Sequence, residues 1–142
     1  MTQHEMIELV KRYFHGVDNT KFEAIAETLT DDCVFSVETH GVKLQGVAEI
    51  EGMFLRLWAS FAAVKHQDFI YVADPGQGRI AARFAVVNTH HDGSLTNKSN
   101  CNFFELRDGR FSRIAVYMAG ENTLTPTLAR ISHRGTACVA PR

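Results

Sequence analysis

The hydrophobic period of this chain changes character from Lys65 onward, and that change limits what the chain can fold into. Before it, apart from a short alternating stretch at Cys33–Gln45, apolar residues recur at three- and four-residue spacing, the period of a helix face. After it they alternate, broken by Asp74-Pro-Gly-Gln-Gly78, His91-Asp-Gly-Ser94 and Arg107-Asp-Gly-Arg110, all of them turn sequences. Three helices followed by a meander of strands is an α+β pattern, with the helices gathered on one face of the sheet.

The elements follow from local signals. Thr2 and Glu5 form a capping box, so the first helix starts near residue 3 and runs on Met6, Val10, Tyr13 (or Phe14) and Val17 to about Gly16. Thr20 and Glu23 read as a second capping box, opening a helix over 21–29 with Phe22, Ile25, Ala26 and Leu29 as its apolar face; Thr30-Asp31-Asp32 ends it. Cys33–Thr39 alternates as a strand, and Gly41 turns it into a short partner, Val42–Gln45, stopped by Gly46. Ile50, Phe54, Leu57, Trp58 and Phe61 keep the period of a third helix, with Met53 beside them as core or pocket wall. The expected strands are then His66–Ala73, Arg79–His90, Leu95–Leu106 and Phe111–Met118. Long strands of this kind curl, and a curled, mixed or antiparallel sheet capped by helices encloses a cone, a natural pocket for a small molecule. Phe84, Val86, Phe103, Phe104, Ala115 and Tyr117 cannot all face inward, so the outer sheet face keeps apolar area for a homodimer to bury.

Composition narrows the function classes. With 142 residues the chain makes one domain, read here as residues 1–120 followed by a tail, 121–142. A net charge of -1 leaves no electrostatic footprint for nucleic acid or an anionic membrane, and no apolar run approaches a membrane span. The N-terminus lacks the apolar core of a secretion signal, and Cys33, Cys101 and Cys138 are odd in number and far apart. That usage fits reduced thiols, and the expected compartment is the cytoplasm.

Asp18 and His66 carry the chemistry. Asp18 sits at the corner between the first two helical patterns, where a carboxylate is either a turn residue or a group aimed into the space the helices cover. His66 opens the first strand of the meander, and histidine suits proton transfer near neutral pH, above all when a carboxylate fixes its tautomer. His90-His91-Asp92 is no metal site by this reading, because neighbours on a strand point to opposite faces. The arginines 79, 83, 107, 110 and 113 are spread over strands and turns as a solvated face. There is no phosphate-binding glycine loop and no dinucleotide fingerprint.

The succession of helix, Val17-Asp18, helix, Asp31-Asp32, strand, Gly46, helix with Trp58, His66 strand and Asp-Gly hairpin resembles the SnoaL-like group of the nuclear-transport-factor-2-like (ketosteroid-isomerase-like) fold. The resemblance spans about residues 3–120, and the Asp18–His66 pair is similar to the branch of scytalone dehydratase and lindane dehydrochlorinase. It implies a cone-shaped α+β barrel in which an Asp–His dyad removes a proton and expels water or chloride with no metal or organic cofactor. Polyketide-cyclase and steroid-isomerase relatives often place an acid near the end of the last strand, where this chain has Val116-Tyr-Met-Ala-Gly120. That branch also uses a further polar group, for which Asn88, Asn102 and Tyr117 are the candidates here. The expectation is a lyase or isomerase acting on a small hydrophobic, oxygenated molecule, with His66 as base, Asp18 orienting it, and Tyr13, Phe14, Phe54 and Trp58 as further substrate contacts. The competing expectation is a non-catalytic ligand-binding or dimerisation module of the same fold.

Overall fold

The first helical period becomes α1, Gln3–Asp18, in a computed structural model that describes residues 1–119. The expected tail, 121–142, lies outside the described residues. The Thr2–Glu5 capping box forms with both of its hydrogen bonds, 2.8 and 3.1 Å. Met6, Leu9, Val10, Tyr13, Phe14 and Val17 are all buried, and their spacing puts them on one face. Each such side chain taken fully out of water stabilises the fold by roughly 1.5–3 kcal/mol.

The helix runs two residues past Gly16, so Gly16 does not end it. A Cβ on Gly16 would stand 2.7 Å from Ile25 Cγ1 and 3.0 Å from the Ile25 amide nitrogen, so its role is close approach of the next helix. That helix, α2, is only Phe22–Ala26, shorter than the 21–29 expected. Its capping box does not form. Because α1 continues to Asp18, Thr20 falls in the connecting turn at φ +54°, and its hydroxyl donates to the Asn19 carbonyl instead. Thr30, Asp31 and Asp32 likewise do not end a helix; they belong to the first strand, β1, Leu29–Val37. The pairing of β1 shifts register between Leu29 and Val34, and this irregularity accommodates the two exposed acids.

A 3-10 turn, Glu38–His40, and Gly41 at φ +66° lead into β2, Val42–Gln45, antiparallel to β1. The third helix, α3, is Val47–Ser60; Phe61 is extended and lies just beyond it, because the chain has already turned into the next strand. Then come β3 (Ala63–Asp74), β4 (Arg79–Thr89), β5 (Leu95–Arg107) and β6 (Arg110–Tyr117). The last hairpin turns at Asp108 (φ +54°) and Gly109 (φ +77°), the pair of positive angles that a two-residue Asp-Gly connection requires.

The sheet order is β2-β1-β6-β5-β4-β3, antiparallel throughout except that β1 runs parallel to β6. Ile80, Phe104, Ile114 and Phe35 lie in one row across four strands and are buried under the helices. One residue along, Val72, Ala81, Phe103 and Ala115 form a row on the outer face, with Val72 71% exposed. The curved mixed sheet with helices on its inner face is the α+β cone expected from the residue pattern.

Candidate active site

Asp18 is the last residue of α1, rather than part of a free corner, and β3 brings His66 to it. Both carboxylate oxygens are used. Oδ1 lies 2.6 Å from His66 Nδ1, and Oδ2 accepts the His66 backbone N–H at 2.9 Å. An ionised carboxylate can only accept, so Nδ1 carries the proton and, in the neutral ring, Nε2 is left as the basic nitrogen. The His66 ring is also wedged between Phe14 and Phe84, with ring centroids 4.8 and 5.3 Å away. Its side chain is 10% exposed, so the imidazole is held in one place by a carboxylate and two aromatic rings.

Trp58 ties down the residue before Asp18. Its indole N–H donates to the Val17 carbonyl at 2.9 Å, an oxygen at the C-terminal end of α1 that also takes the Thr20 backbone N–H at 3.5 Å. Trp58 stacks on Phe54, with centroids 5.7 Å apart. It thus stands behind the wall, not in it.

His66 lines a cavity of about 370 Å³, within the roughly 300–1,000 Å³ usual for small-molecule sites. Helix α1 supplies Tyr13, Phe14 and Val17; α3 supplies Met53, Phe54, Arg56 and Leu57. The sheet side is Phe35, Val37, Val42, Phe84 and Val116, with Met118 just after β6. Two carboxamides, Asn100 and Asn102 of β5, interrupt this apolar surface. Asn102 is 3% exposed and its Oδ1 has no hydrogen-bond partner among the described residues; Asn100 Oδ1 accepts the Ala119 N–H at 3.1 Å. Burial pushes the Tyr13 phenol far above its ordinary value, with the nearby Cys33 adding to the shift, so it remains a neutral group. Burial likewise pushes the Cys33 thiol up to about 12, and it stays protonated.

Of the expected substrate contacts, Tyr13, Phe14, Phe54 and Asn102 line the cavity. Asn88 is buried but sits further along β4, opposite Val64 and Thr96, outside the lining. Tyr117 is 48% exposed and pairs with Cys101 on the outer face, because Val116 takes the inward position. Asn100 and Arg56 were not singled out from the sequence. Strand parity would have found Asn100, which shares a face with Asn102 and Phe104. Arg56 follows Met53 by three residues and so lies on the cavity side of α3. The histidines of the His90-His91 pair bond separately, His90 Nε2 to Thr96 Oγ1 and His91 Nε2 to the Ala59 carbonyl. Two arginines read as solvated pair with acids: Arg107 with Asp32 and Arg113 with Glu38.

A cone of this construction, with a dyad in its wall, defines a class, and the sequence places the chain within it. The chain belongs to the SnoaL-like domain family, whose model matches residues 10–114. Solved structures agree on the fold. A candidate polyketide cyclase from Xanthomonas campestris pv. campestris is 20% identical, with a TM-score of 0.75 over 81% of this chain and 90% of that one. TerC, co-crystallised with polyporic acid, is 15% identical, with a TM-score of 0.72 over 81% and 92%. An NTF2-like protein from Exiguobacterium sp. 255-15 is 18% identical, with a TM-score of 0.68 over 80% and 99%. No curated protein matches the chain.

Proposed function

We propose that the protein takes a hydrophobic, oxygenated small molecule into the cavity and removes a proton from it. Elimination, as in a dehydratase, or isomerisation would follow. The observation that carries this reading is the 2.6 Å contact between Asp18 and His66 Nδ1 in the wall of an apolar cavity. Nε2 takes a proton from a carbon beside a carbonyl, and the Asp18 carboxylate stabilises the imidazolium that forms. The proton then leaves on a departing hydroxyl as water, or returns to another carbon. In this reading the side-chain N–H of Asn102, with Asn100 beside it in the cavity wall, donates to the carbonyl oxygen as charge develops there. General base catalysis of this kind contributes about 10²–10⁴-fold and needs no metal or organic cofactor.

The working unit in this reading is residues 1–120. It pairs with a second copy through the outer sheet face, where Val72, Ile70 and Tyr117 are 71%, 57% and 48% exposed. Free thiols at Cys33 and Cys101 support the cytoplasm as its compartment.

The test is turnover of a panel of hydroxylated and halogenated cyclic carbonyl compounds by the wild type and His66→Ala. Loss of turnover in the variant, with binding retained, is the expected result; a fully active variant removes His66 from the mechanism. One feature favours a second reading. The lining includes no other proton-transfer group of ordinary carboxylate or histidine type among the described residues, so a non-catalytic ligand-binding module would present the same surface. Equal binding to both proteins with no turnover of any compound would establish that alternative.

A further inference from the structure

We infer that Arg56 is the anion-recognition group of this cavity, and that the ligand is an apolar organic acid whose ionised oxygen group lies at the rim. The inference rests on the reading of the cavity as a ligand site and names the class of molecule it takes. Arg56 sits three residues after Met53 and one before Leu57, and all three line the cavity, so its stem runs along the apolar wall. The residue itself is exposed, which puts the guanidinium at the entrance rather than the floor. Its Nη1 reaches back over Gly52, where a Cβ would meet it at 3.4 Å, one turn toward the N-terminus of α3.

The electrostatics are one-sided. No ion pair or side-chain hydrogen bond engages the guanidinium among the described residues. The acid Glu49 lies two turns away along α3, and its Oε1 accepts the Gln45 backbone N–H. The described residues lining the cavity include one guanidinium, one imidazole and two carboxamides, but no carboxylate. Asp18 stands behind the His66 ring with both oxygens engaged. A neutral ligand would make no use of the rim cation, which water otherwise solvates. An apolar acid matches both parts of the surface, with its body against Phe54 and Phe84 and its anion on the planar donor fork of Arg56. Bound that way, the molecule is oriented end-on, with its inner carbons directed toward His66.

Two dyes with one skeleton separate charge from apolar fit: 8-anilinonaphthalene-1-sulfonate, an anion, and neutral N-phenyl-1-naphthylamine. Both are titrated by fluorescence at low salt into wild type, Arg56→Gln and Arg56→Lys. Arg56→Gln should weaken the sulfonate about three- to fivefold, the range of a partly exposed ion pair, and leave the neutral dye unchanged. Arg56→Lys should keep most of the sulfonate affinity, and raised salt should shrink the difference. An unchanged sulfonate affinity in Arg56→Gln, with the neutral dye still bound, overturns this inference alone. Equal weakening of both dyes also overturns it, since that is loss of shape and not of charge. If neither dye binds the wild type, the reading of the cavity as a ligand site falls, and the inference with it.

Discussion

Asp18 spends both carboxylate oxygens on one residue, the backbone N–H and the ring of His66, and this bidentate hold is the main chemical statement of the structure. His66→Ala should lower kcat by at least about 10²-fold with little change in binding. Asp18→Asn keeps the size but loses the charge that supports the imidazolium, and should lower kcat with KM nearly unchanged. Steady-state kinetics on any compound that is turned over would check both. Asn102 makes the opposite kind of prediction. Its buried Oδ1 has no partner among the described residues, so Asn102→Leu, similar in size, should stabilise the fold by about 1 kcal/mol in denaturant melts. The same change should weaken ligand binding, because the Nδ2 donor for the ligand's carbonyl oxygen is then missing. Cys33, held as a thiol by burial, should resist iodoacetamide in the native protein at pH 8 and react after unfolding. Mass spectrometry of the labelled peptide reads this directly.

At the scale of elements, the site depends on where α1 stops and how it is held there. Trp58 of α3 bonds the Val17 carbonyl, and Gly16 lets α2 pack against α1 without a clash. Trp58→Phe keeps the stacking on Phe54 but removes the N–H. It should cost about 1 kcal/mol in a thermal or urea melt and also reduce kcat, since Asp18 is then less firmly placed. Gly16→Ala drives a methyl to within 2.7 Å of Ile25 Cγ1 and should destabilise by about 1–3 kcal/mol. On the sheet side, β3 shifts register between Gln67 and Ile70, with Asp68 at φ +59°. That bulge begins after Gln67, one residue beyond His66, and Phe69 within it packs on Phe14 and Phe84 with centroids 5.0 and 5.2 Å away.

The whole molecule has two apolar surfaces of different kinds. The inner one is closed over by helices and leaves the cavity; the outer one is a row of Val72, Ala81, Phe103 and Ala115 with Ile70 and Tyr117 on the neighbouring row. Sedimentation at micromolar concentration should report a dimer, and Val72→Glu combined with Phe103→Glu should convert it to a monomer that keeps its fold by circular dichroism. A wild-type monomer would show that the outer face is not an interface.

Periodicity and turn chemistry are local, and so the sequence by itself determined most element types: three helices, a short hairpin between the second and third, and a meander after them with hairpins at Asp74–Gly78 and Asp108–Gly109, although Leu29–Asp32 went to strand. It also singled out Asp18 and His66 as chemical candidates, because few residue types suit proton transfer. Only the tertiary structure decided what is non-local. The parallel pairing of β1 with β6 joins strands separated by the whole meander, and no local pattern encodes it. The end of α1 is bonded by a tryptophan 41 residues further on, and the helix runs on to Asp18, so Thr20 falls in the turn and caps nothing. Asp18 and His66 are 48 residues apart, and their contact exists only because α1 packs on β3. Strand parity told which residues share a face, but not how far along the strand the cavity reaches. That depth separates Asn100 and Asn102 from Asn88, and it depends on where the helices end above the sheet.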